Sequence, residues 1–281
     1  PLTLSTRVVD QPLTIDLPSG PWQPLNYDRS YKGNINVRTA IAESRNVPLV
    51  RIARHCGMDA VADRFRKAGL PVPDPAPPSF VLGSVETTPL ELALAYTVLT
   101  TPGRILEPLA VRKVERPGGR PLADLHKKSR RVTRPASAWL VQNTLLTAVE
   151  SGTARAGALD DVPVAAKTGS SSGLRDAWFA GNAGRVVTVV WVGRDGGKTL
   201  GFGGSQAAGP IWKEFMASAA NALPAAEPKP PINVVELYVD ERTGLLVRER
   251  NPRAVREFFR RGALPPRDRF FRRDRPVPPV R

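Results

Sequence analysis

The chain has 281 residues, with 41 basic and 26 acidic side chains and a formal net charge of +15. Its apolar fraction of 41% is enough to bury a core, and this excludes a collagen-like or wholly disordered protein. Its single cysteine, Cys56, excludes an internal disulfide and a zinc site of several cysteines, and we expect it to be a small, partly buried filler. Two histidines leave little room for a histidine-based metal site or a Ser-His-Asp triad, and no apolar run approaches the roughly 20 residues of a membrane span.

The first part of the chain predicts short extended segments followed by helices. Prolines and Gly20 interrupt residues 1–32 too often for helices, which favours loops with short extended pieces. Val37–Arg54 has helical spacing, but Pro48 disfavours a helical conformation at the residue before it, so we expect a break or tight turn at 44–46. A second amphipathic helix is predicted over Met58–Ala68.

Three further elements are predicted before residue 151. Thr88 and Glu91 form a capping-box pattern in front of an apolar run that predicts a helix to Leu99. Leu109–Leu122 predicts a hairpin around a Pro-Gly-Gly turn, and Pro135–Glu150 predicts another helix.

The pattern then changes to β structure. Val164–Gly169, Ala177–Gly181 and Val186–Val192 are β-prone runs joined by turns rich in Gly and Ser, which predicts an antiparallel meander. A helix over Pro210–Ala222 is expected to cover it. The chain is therefore predicted to be α+β, with helices packed on an antiparallel sheet.

The C-terminal region differs in composition from the rest. We predict a Pro- and Ala-rich linker at 224–231, a hairpin at Val234–Val247 turning at 240–244, and an Arg- and Pro-rich tail. Residues 231–281 contain 13 Arg and 7 acidic residues, a net charge of +6. Such a tail can bind a polyanion or can be a solvated terminus, and because no nucleic-acid motif accompanies it we expect no specific nucleic-acid partner.

One short motif with chemical potential is Lys167-Thr168-Gly169-Ser170, at the end of the first strand of the meander. Lysine at such a place can attract an anionic substrate and bias a proton network, and the hydroxyls of Thr168 and Ser170 can bind a carboxylate. Gly169 lets a substrate approach the backbone closely. The alternative interpretation is an ordinary exposed turn after a strand.

A second short motif is Ser44-Arg45-Asn46, at the predicted break between helices. Serine can relay a proton there, and asparagine offers a donor and an acceptor to an amide. The alternative interpretation is a helix cap, for which Ser and Asn are preferred residue types.

In this order, the two motifs match part of the S-x-x-K, S-D-N and K-T-G signature of serine β-lactamases and penicillin-binding proteins. Longer phrases add to the match. They are Trp22–Asp28, Ser44–Pro48, Leu82–Ala93, Gly152–Ala154, Lys167–Ser171, Asp176–Gly181, Trp191–Asp195 and Pro210–Trp212. On these phrases the chain resembles the transpeptidase domain of a class A, bifunctional penicillin-binding protein, from its first residues to about Ala222 and weakly over 234–266.

The resemblance implies a penicillin-binding protein/serine β-lactamase-like transpeptidase fold, here incomplete, with a partial transpeptidase domain at 1–223 and a C-terminal extension at 232–281. It implies peptidoglycan D,D-transpeptidation. In that reaction a serine attacks the D-Ala-D-Ala end of a stem peptide, D-Ala leaves, and the acyl group passes to an amine of a neighbouring stem. The implied partners are stem peptides, β-lactams, which acylate the same serine, and cell-wall synthesis proteins. No cofactor or metal is implied.

The roles of individual residues follow from the same resemblance. Ser44 would relay a proton, Lys167 would tune the proton network and attract the terminal carboxylate, and Asn46 would anchor the substrate amide. The hydroxyls of Thr168 and Ser170 would bind the carboxylate, and the backbone N–H of Ser170 would supply an oxyanion-hole donor. The resemblance gives the residue between Ser44 and Asn46 no essential role.

The chain departs from the family at one decisive place. No serine is followed by a lysine three residues later, so the S-x-x-K nucleophile and its base are absent, and 43 residues precede Ser44. We expect that the chain starts downstream of the nucleophile and is inactive alone. A glycosyltransferase domain and a membrane anchor are expected still further upstream. The family also implies a location at the periplasmic face of the cytoplasmic membrane, with attachment only through that missing anchor.

Two alternatives remain open from the sequence. A class A β-lactamase would use a glutamate-activated water, but no E-x-x-L-N phrase lies between Ser44 and Lys167. A non-catalytic module could bind the cell wall through the same cleft or a polyanion through its basic tail.

Overall fold

The structure is a computed structural model that describes residues 2–219 and 228–267. Its N-terminal region contains four short strands. They are β1 (Arg7–Asp10), β2 (Ile15–Leu17), β3 (Gly20–Trp22) and β4 (Gly33–Asn36). β1 pairs with β4, and β2 pairs with β3, both antiparallel. The predicted short extended pieces are confirmed.

Two helices meet at a corner where the sequence predicts a break. α1 (Val37–Ala42) is capped by Asn36, whose side chain accepts a backbone N–H of the first turn at 2.7 Å. α2 (Asn46–Cys56) and α3 (Met58–Lys67) follow.

Cys56 is exposed, so the prediction of a partly buried filler is wrong. It is the last residue of α2, where the chain leaves the helix.

α4 (Pro89–Thr100) starts with the predicted capping box. Thr88 Oγ1 accepts the N–H of Glu91 at 3.2 Å, and the Glu91 carboxylate accepts the N–H of Thr88 at 2.8 Å. The next elements are β5 (Arg104–Leu106), β6 (Lys113–Glu115), β7 (Pro121–Asp124), β8 (Ser129–Arg131) and α5 (Pro135–Glu150). β6 and β7 form the predicted hairpin, β5 pairs with β8, and α5 has the predicted bounds.

The predicted meander is confirmed. β9 (Val164–Ser170), β10 (Asp176–Ala183) and β11 (Val186–Gly193) form an antiparallel sheet in the order β11-β10-β9. Alternate residues of β9 face opposite sides, as the pleat requires. Ala165 packs among side chains of α4 and α5, while Ala166 joins the cluster of Phe179 and Trp212. This arrangement confirms the α+β class with helices on an antiparallel sheet.

The helix that covers this sheet begins earlier than predicted. α6 runs over Gly204–Ser218, so Pro210 lies inside it instead of starting it. The start is fixed by side chains, since Gln206 Oε1 accepts the N–H of Gly203 at 3.4 Å and Ser170 Oγ accepts that of Gly204 at 3.0 Å. The predicted end at residue 222 lies outside the described residues.

The C-terminal hairpin has a different partner strand from the predicted one. β12 (Val234–Asp240) pairs over its whole length with β13 (Ala254–Arg260). A turn does form at 240–244, where Asp240 accepts two backbone N–H groups, but Leu246 makes only a single bridge to β12. β13 replaces the predicted return strand because it buries Phe259, which is 1% exposed.

This extension packs directly on the rest of the protein. Glu257 of β13 forms an ion pair with Arg38 at 2.5 Å, and Ser5 Oγ donates to the carbonyl of Gly244 at 3.0 Å. Residues 220–227 and 268–281 lie outside the described part, so the boundary at 223, most of the 224–231 linker and the Arg- and Pro-rich tail remain predictions.

Within residues 2–219 and 228–267, no helix combines the length and hydrophobicity needed to cross a bilayer. The same residues contain no group of three or more His, Cys, Asp or Glu side chains arranged to hold a metal ion.

Candidate active site

Ser44 lies at the corner between α1 and α2, in a backbone conformation that serine rarely adopts. Its φ is +57°, in the left-handed region. The corner is closed by two backbone hydrogen bonds, from the N–H of Ser44 to the carbonyl of Ile41 at 3.1 Å and from that of Arg45 to Ala40 at 2.9 Å. This reversal turns the Ser44 side chain toward β9.

Lys167 reaches Ser44 across 123 residues of sequence. Its Nζ donates to Ser44 Oγ at 2.7 Å and to the carbonyl of Thr168 at 3.1 Å. Burial lowers the pKa of Lys167 to about 8, since a desolvated ammonium is disfavoured. At pH 7 about a tenth of the lysine is therefore neutral, and the pair can both hold and accept a proton.

The remaining residues of the Lys-Thr-Gly-Ser motif have partners at the same end of β9. Thr168 Oγ1 lies 3.0 Å from Thr153 Oγ1. Ser170 Oγ accepts the N–H of Gly204 at the start of α6, which leaves its own hydroxyl proton available to donate. Gly169 pairs with Trp178 in the sheet, and a β-carbon there would lie 3.2 Å from Trp178 Cβ.

Asn46 starts α2, and its side chain is anchored to a loop. Its Nδ2 donates to the carbonyl of Leu25 at 2.7 Å. Thus Asn46 stands beside Ser44, although no hydrogen bond joins it to the Lys-Thr-Gly-Ser motif among the described residues. Tyr27, from the same loop, is 73% exposed and reaches the Ser170 end of the cleft, because a β-carbon built at Gly203 would lie 2.9 Å from Ser170 Oγ and 3.7 Å from Tyr27 Oη.

A polar cluster, here called the polar corner, lies behind Ser44. It is made of Asp10, Asn26 and Arg45, which are buried, and of Asp28, which is exposed. Asp10 is fully buried and accepts from Arg45 Nε at 2.9 Å and from Asn26 Nδ2 at 2.7 Å. Arg45 is 5% exposed and also donates to Asp28 at 2.7 Å and to the carbonyl of Ser30. Asn26 Oδ1 accepts the N–H of Val47 in the first turn of α2 at 3.2 Å.

The charges of the polar corner stabilise one another. Burial by itself lowers the pKa of Arg45, but the carboxylates of Asp28 and Asp10 outweigh it and the pKa is raised. Hydrogen bonds from Ser30, and then from Arg45, hold the pKa of Asp28 far below its usual range. Arg45 therefore has a structural function that the sequence interpretation did not assign.

The structure thus joins Lys167 to Ser44, with Asn46 next to Ser44. Thr168 and Ser170 lie at the same end of β9, where their hydroxyls meet Thr153 and the start of α6. Sequence reasoning missed Thr153, although the Gly-Thr-Ala phrase around it was visible. Chemically, the cleft offers a lysine–serine pair that can carry a proton and two hydroxyls that can hold a carboxylate.

The sequence is similar to those of known proteins over most of its length. The family model described as the penicillin binding protein transpeptidase domain matches residues 3–217. The chain is 33% identical over 217 residues to penicillin-binding protein 1B of Vibrio cholerae, covering 76% of this chain and 28% of that protein. It is 35% identical over 219 residues to penicillin-binding protein 1A of Aquifex aeolicus, covering 76% of this chain and 30% of that protein.

Solved structures show the same likeness. The crystal structure of penicillin-binding protein 1A from Haemophilus influenzae aligns with a TM-score of 0.86 and 27% identity, covering 95% of this chain and 46% of that chain. PonA1 from Mycobacterium tuberculosis, solved in complex with penicillin V, aligns with a TM-score of 0.73 and 26% identity, covering 82% of this chain and 67% of that chain. The present chain spans about 30% of the length of the two curated relatives above.

Proposed function

The chain belongs to the penicillin-binding protein transpeptidase family, among its class A members, and from this premise we propose that it is the substrate-binding part of a peptidoglycan D,D-transpeptidase. The proposed substrate is the D-Ala-D-Ala end of a stem peptide, with β-lactams as mimics that acylate the enzyme. The complete enzyme would cross-link the cell wall at the periplasmic face of the cytoplasmic membrane.

The observation that carries this proposal is the 2.7 Å hydrogen bond between Lys167 Nζ and Ser44 Oγ. A serine and a lysine so joined can pass a proton between an attacking hydroxyl and a leaving amine. The lowered pKa of Lys167, about 8, brings its proton affinity close to physiological pH, where such a transfer works best.

Substrate would be held by the groups around this pair. The positive charge of Lys167 and the hydroxyls of Thr168 and Ser170 would bind the terminal carboxylate. The side-chain amide of Asn46 would bind the peptide amide, with its orientation supported by the Leu25 carbonyl. Thr153 would orient the Thr168 hydroxyl through their 3.0 Å contact.

The acyl-transfer steps need a nucleophile that this sequence does not contain, because no S-x-x-K is present. We propose that a segment outside the sequence supplies it. That serine oxygen would bond to the carbonyl carbon of the penultimate D-Ala, and the peptide C–N bond would break. D-Ala would leave after taking a proton through Ser44 and Lys167. A glycosyltransferase domain and a membrane anchor would belong to the same larger protein.

Fluorescent penicillin labelling tests the role of the chain. We expect no covalently labelled band from these 281 residues, and labelling once an S-x-x-K segment from a class A relative is joined in front. A labelled band from the chain alone would contradict the missing nucleophile, and efficient nitrocefin turnover by the joined protein would favour a β-lactamase instead.

Binding without acylation tests the substrate. Titration with diacetyl-L-Lys-D-Ala-D-Ala should shift the amide NMR signals of 167–170, whereas the L-Ala-L-Ala isomer should not. Lys167→Ala should abolish the shifts, and Lys213→Ala, at an exposed position on α6, should leave them unchanged. Equal shifts from both isomers would overturn the assignment of a D,D substrate.

A further inference from the structure

A cavity of about 860 Å³ lies between the C-terminal hairpin and the helical layer. Its walls come from the end of α3, the segment that leads into α5, the first two turns of α5, and β13. Its cationic lining residues are Arg64, Lys67, Arg131, Arg134 and Arg260, and no Asp or Glu among the described residues lines it. We call it the cationic cavity. None of its lining residues belongs to the cleft of Ser44 and Lys167.

Among the described residues, four of the five cations have no counter-ion, and two of those four have no hydrogen-bond partner either. Lys67 is paired with Asp63 at 2.7 Å, while Arg64 and Arg131 donate to nearby backbone carbonyls. The side chains of Arg134 and Arg260 make no hydrogen bond or ion pair within residues 2–219 and 228–267. Four positive charges without a paired carboxylate among the described residues create a positive potential at the cavity.

The first turn of α5 adds to that potential. α5 has 16 residues, its N-cap Arg134 makes no side-chain capping bond, and its first turn contains no acidic residue. A helix of this length carries about half a positive charge at its N-terminus. In α5 this charge acts through the helix dipole, because Pro135 has no N–H and the N–H of Ser137 donates to the carbonyl of Arg134 at 3.0 Å. The helix end and the arginines therefore attract an anion to the same place.

The floor of the cavity is apolar. Val132 and Phe259 are 6% and 1% exposed, and Leu140 and Phe258 line it beside them. Four of the five cations are exposed side chains, and Arg260 is half-buried. An occupant would thus meet hydrocarbon at depth and positive charge near the opening.

We propose that the cationic cavity binds an amphiphile with a net-anionic phosphate monoester, with its phosphate among Arg131, Arg134 and Arg260 and its apolar portion against Val132 and Phe259. Arginine suits this task because its planar guanidinium can bind a phosphate through two parallel hydrogen bonds. The volume falls within the roughly 300–1,000 Å³ of ordinary small-molecule sites. This binding does not depend on the proposed transpeptidase chemistry.

Calorimetric titration of the chain with three probes tests the proposal. Dihexanoyl phosphatidic acid below its micelle concentration should bind saturably. Inorganic phosphate should bind with an affinity lower by a factor of about ten or more, and dihexanoyl phosphatidylcholine should show no measurable binding. If inorganic phosphate bound as tightly as the phosphatidic acid, the proposal of an amphiphilic ligand would be wrong, and the cavity would be a site for a simple anion. Absence of saturable binding of the phosphatidic acid would overturn the site altogether.

Matched variants separate this site from general electrostatic attraction. Arg134→Gln with Arg260→Gln should weaken binding of the phosphatidic acid about tenfold or more, since two free cations are removed. Arg116→Gln with Arg120→Gln makes the same change in net charge at exposed positions around the β6–β7 turn and should have little effect. Equal weakening in both double variants would overturn the proposal. The side chains of Arg134 and Arg260 have no partners within residues 2–219 and 228–267, so we expect the fold, followed by circular dichroism, to be unchanged.

Discussion

The two sides of the cleft are held together by opposite means. On the Ser44 side, the polar corner is held by the ion pair of Asp10, which is fully buried, with Arg45, which is 5% exposed. On the β9 side, α6 packs against the sheet through glycines and aromatic rings. We call that side the packed wall and define it by Phe179, Gly204, Gly209 and Trp212. Substitutions on the two sides should therefore destabilise the protein differently. A substitution in the polar corner leaves an unpaired charge, and one in the packed wall leaves a void or causes a clash.

The packed wall depends on the absence of β-carbons. A β-carbon at Gly204 would collide with the backbone carbonyls of Gly169 and Trp178, and one at Gly209 would lie 2.9 Å from Ala156 Cβ. These close approaches let Trp212 reach Phe179, with ring centroids 5.2 Å apart. The Lys-Thr-Gly-Ser strand is therefore positioned by shape, whereas Ser44 is positioned by hydrogen bonds.

The largest effect is expected from Trp212→Ala in the packed wall. Trp212 is fully buried, and its indole N–H donates to the carbonyl of Thr188 at 2.9 Å. Its loss should cost about 4 kcal/mol of unfolding free energy, through a cavity and an unpaired carbonyl. Urea unfolding measures this. Trp191→Ala, at a residue that is 46% exposed, is the matched control and should cost about 1 kcal/mol or less. Similar costs for the two would contradict a shape-determined wall.

A smaller effect, of a different kind, is expected from Arg45→Met in the polar corner. It leaves the Asp10 carboxylate buried without its ion-pair partner and should cost about 3 kcal/mol. Adding Asp10→Asn should recover part of that loss, because the uncompensated charge is removed.

The surface pair of Arg256 and Glu236, 3.5 Å apart, offers the control for this prediction. Arg256→Met should cost about 1 kcal/mol or less, since exposed ion pairs contribute little. If Asp10→Asn made the Arg45→Met variant still less stable, the polar corner would be held by packing and not by charge.

The sequence predicts the features of this protein that depend on local patterns. The break at 44–46, the capping box at Thr88, the meander and the residues of the cleft follow from local patterns that need no knowledge of distant contacts. The hydrogen bond from Lys167 to Ser44 is not predicted by the sequence, which gives the two residues only related roles through the resemblance. Nothing local indicates which serine a lysine 123 residues away will meet.

The features that the sequence did not predict depend on long-range packing. Arg45 looks like a variable position because its partners, Asp10 and Asp28, lie 35 and 17 residues earlier. The local preference of proline predicts a start of α6 at Pro210, whereas contacts of Gly204 with β9 place the start six residues earlier, at Gly204. The predicted return strand of the C-terminal hairpin is wrong for the same reason, because burial of Phe259 favours β13 as the partner of β12.

The smallest predicted effect tests whether the backbone at Ser44 is held in the left-handed region. Both Ser44→Gly and Ser44→Ala remove the hydroxyl that Lys167 contacts, so their difference reports the backbone alone. At φ +57° alanine is strained and glycine is not, and the glycine variant should be more stable by about 1 kcal/mol. At Ser137, within α5, the same pair of substitutions should show the opposite sign, since glycine destabilises a helix relative to alanine. Thermal unfolding of the four variants measures both differences. The same sign at the two positions would mean that the backbone at Ser44 relaxes out of the left-handed region, and the corner that turns Ser44 toward Lys167 would then need no support from Arg45.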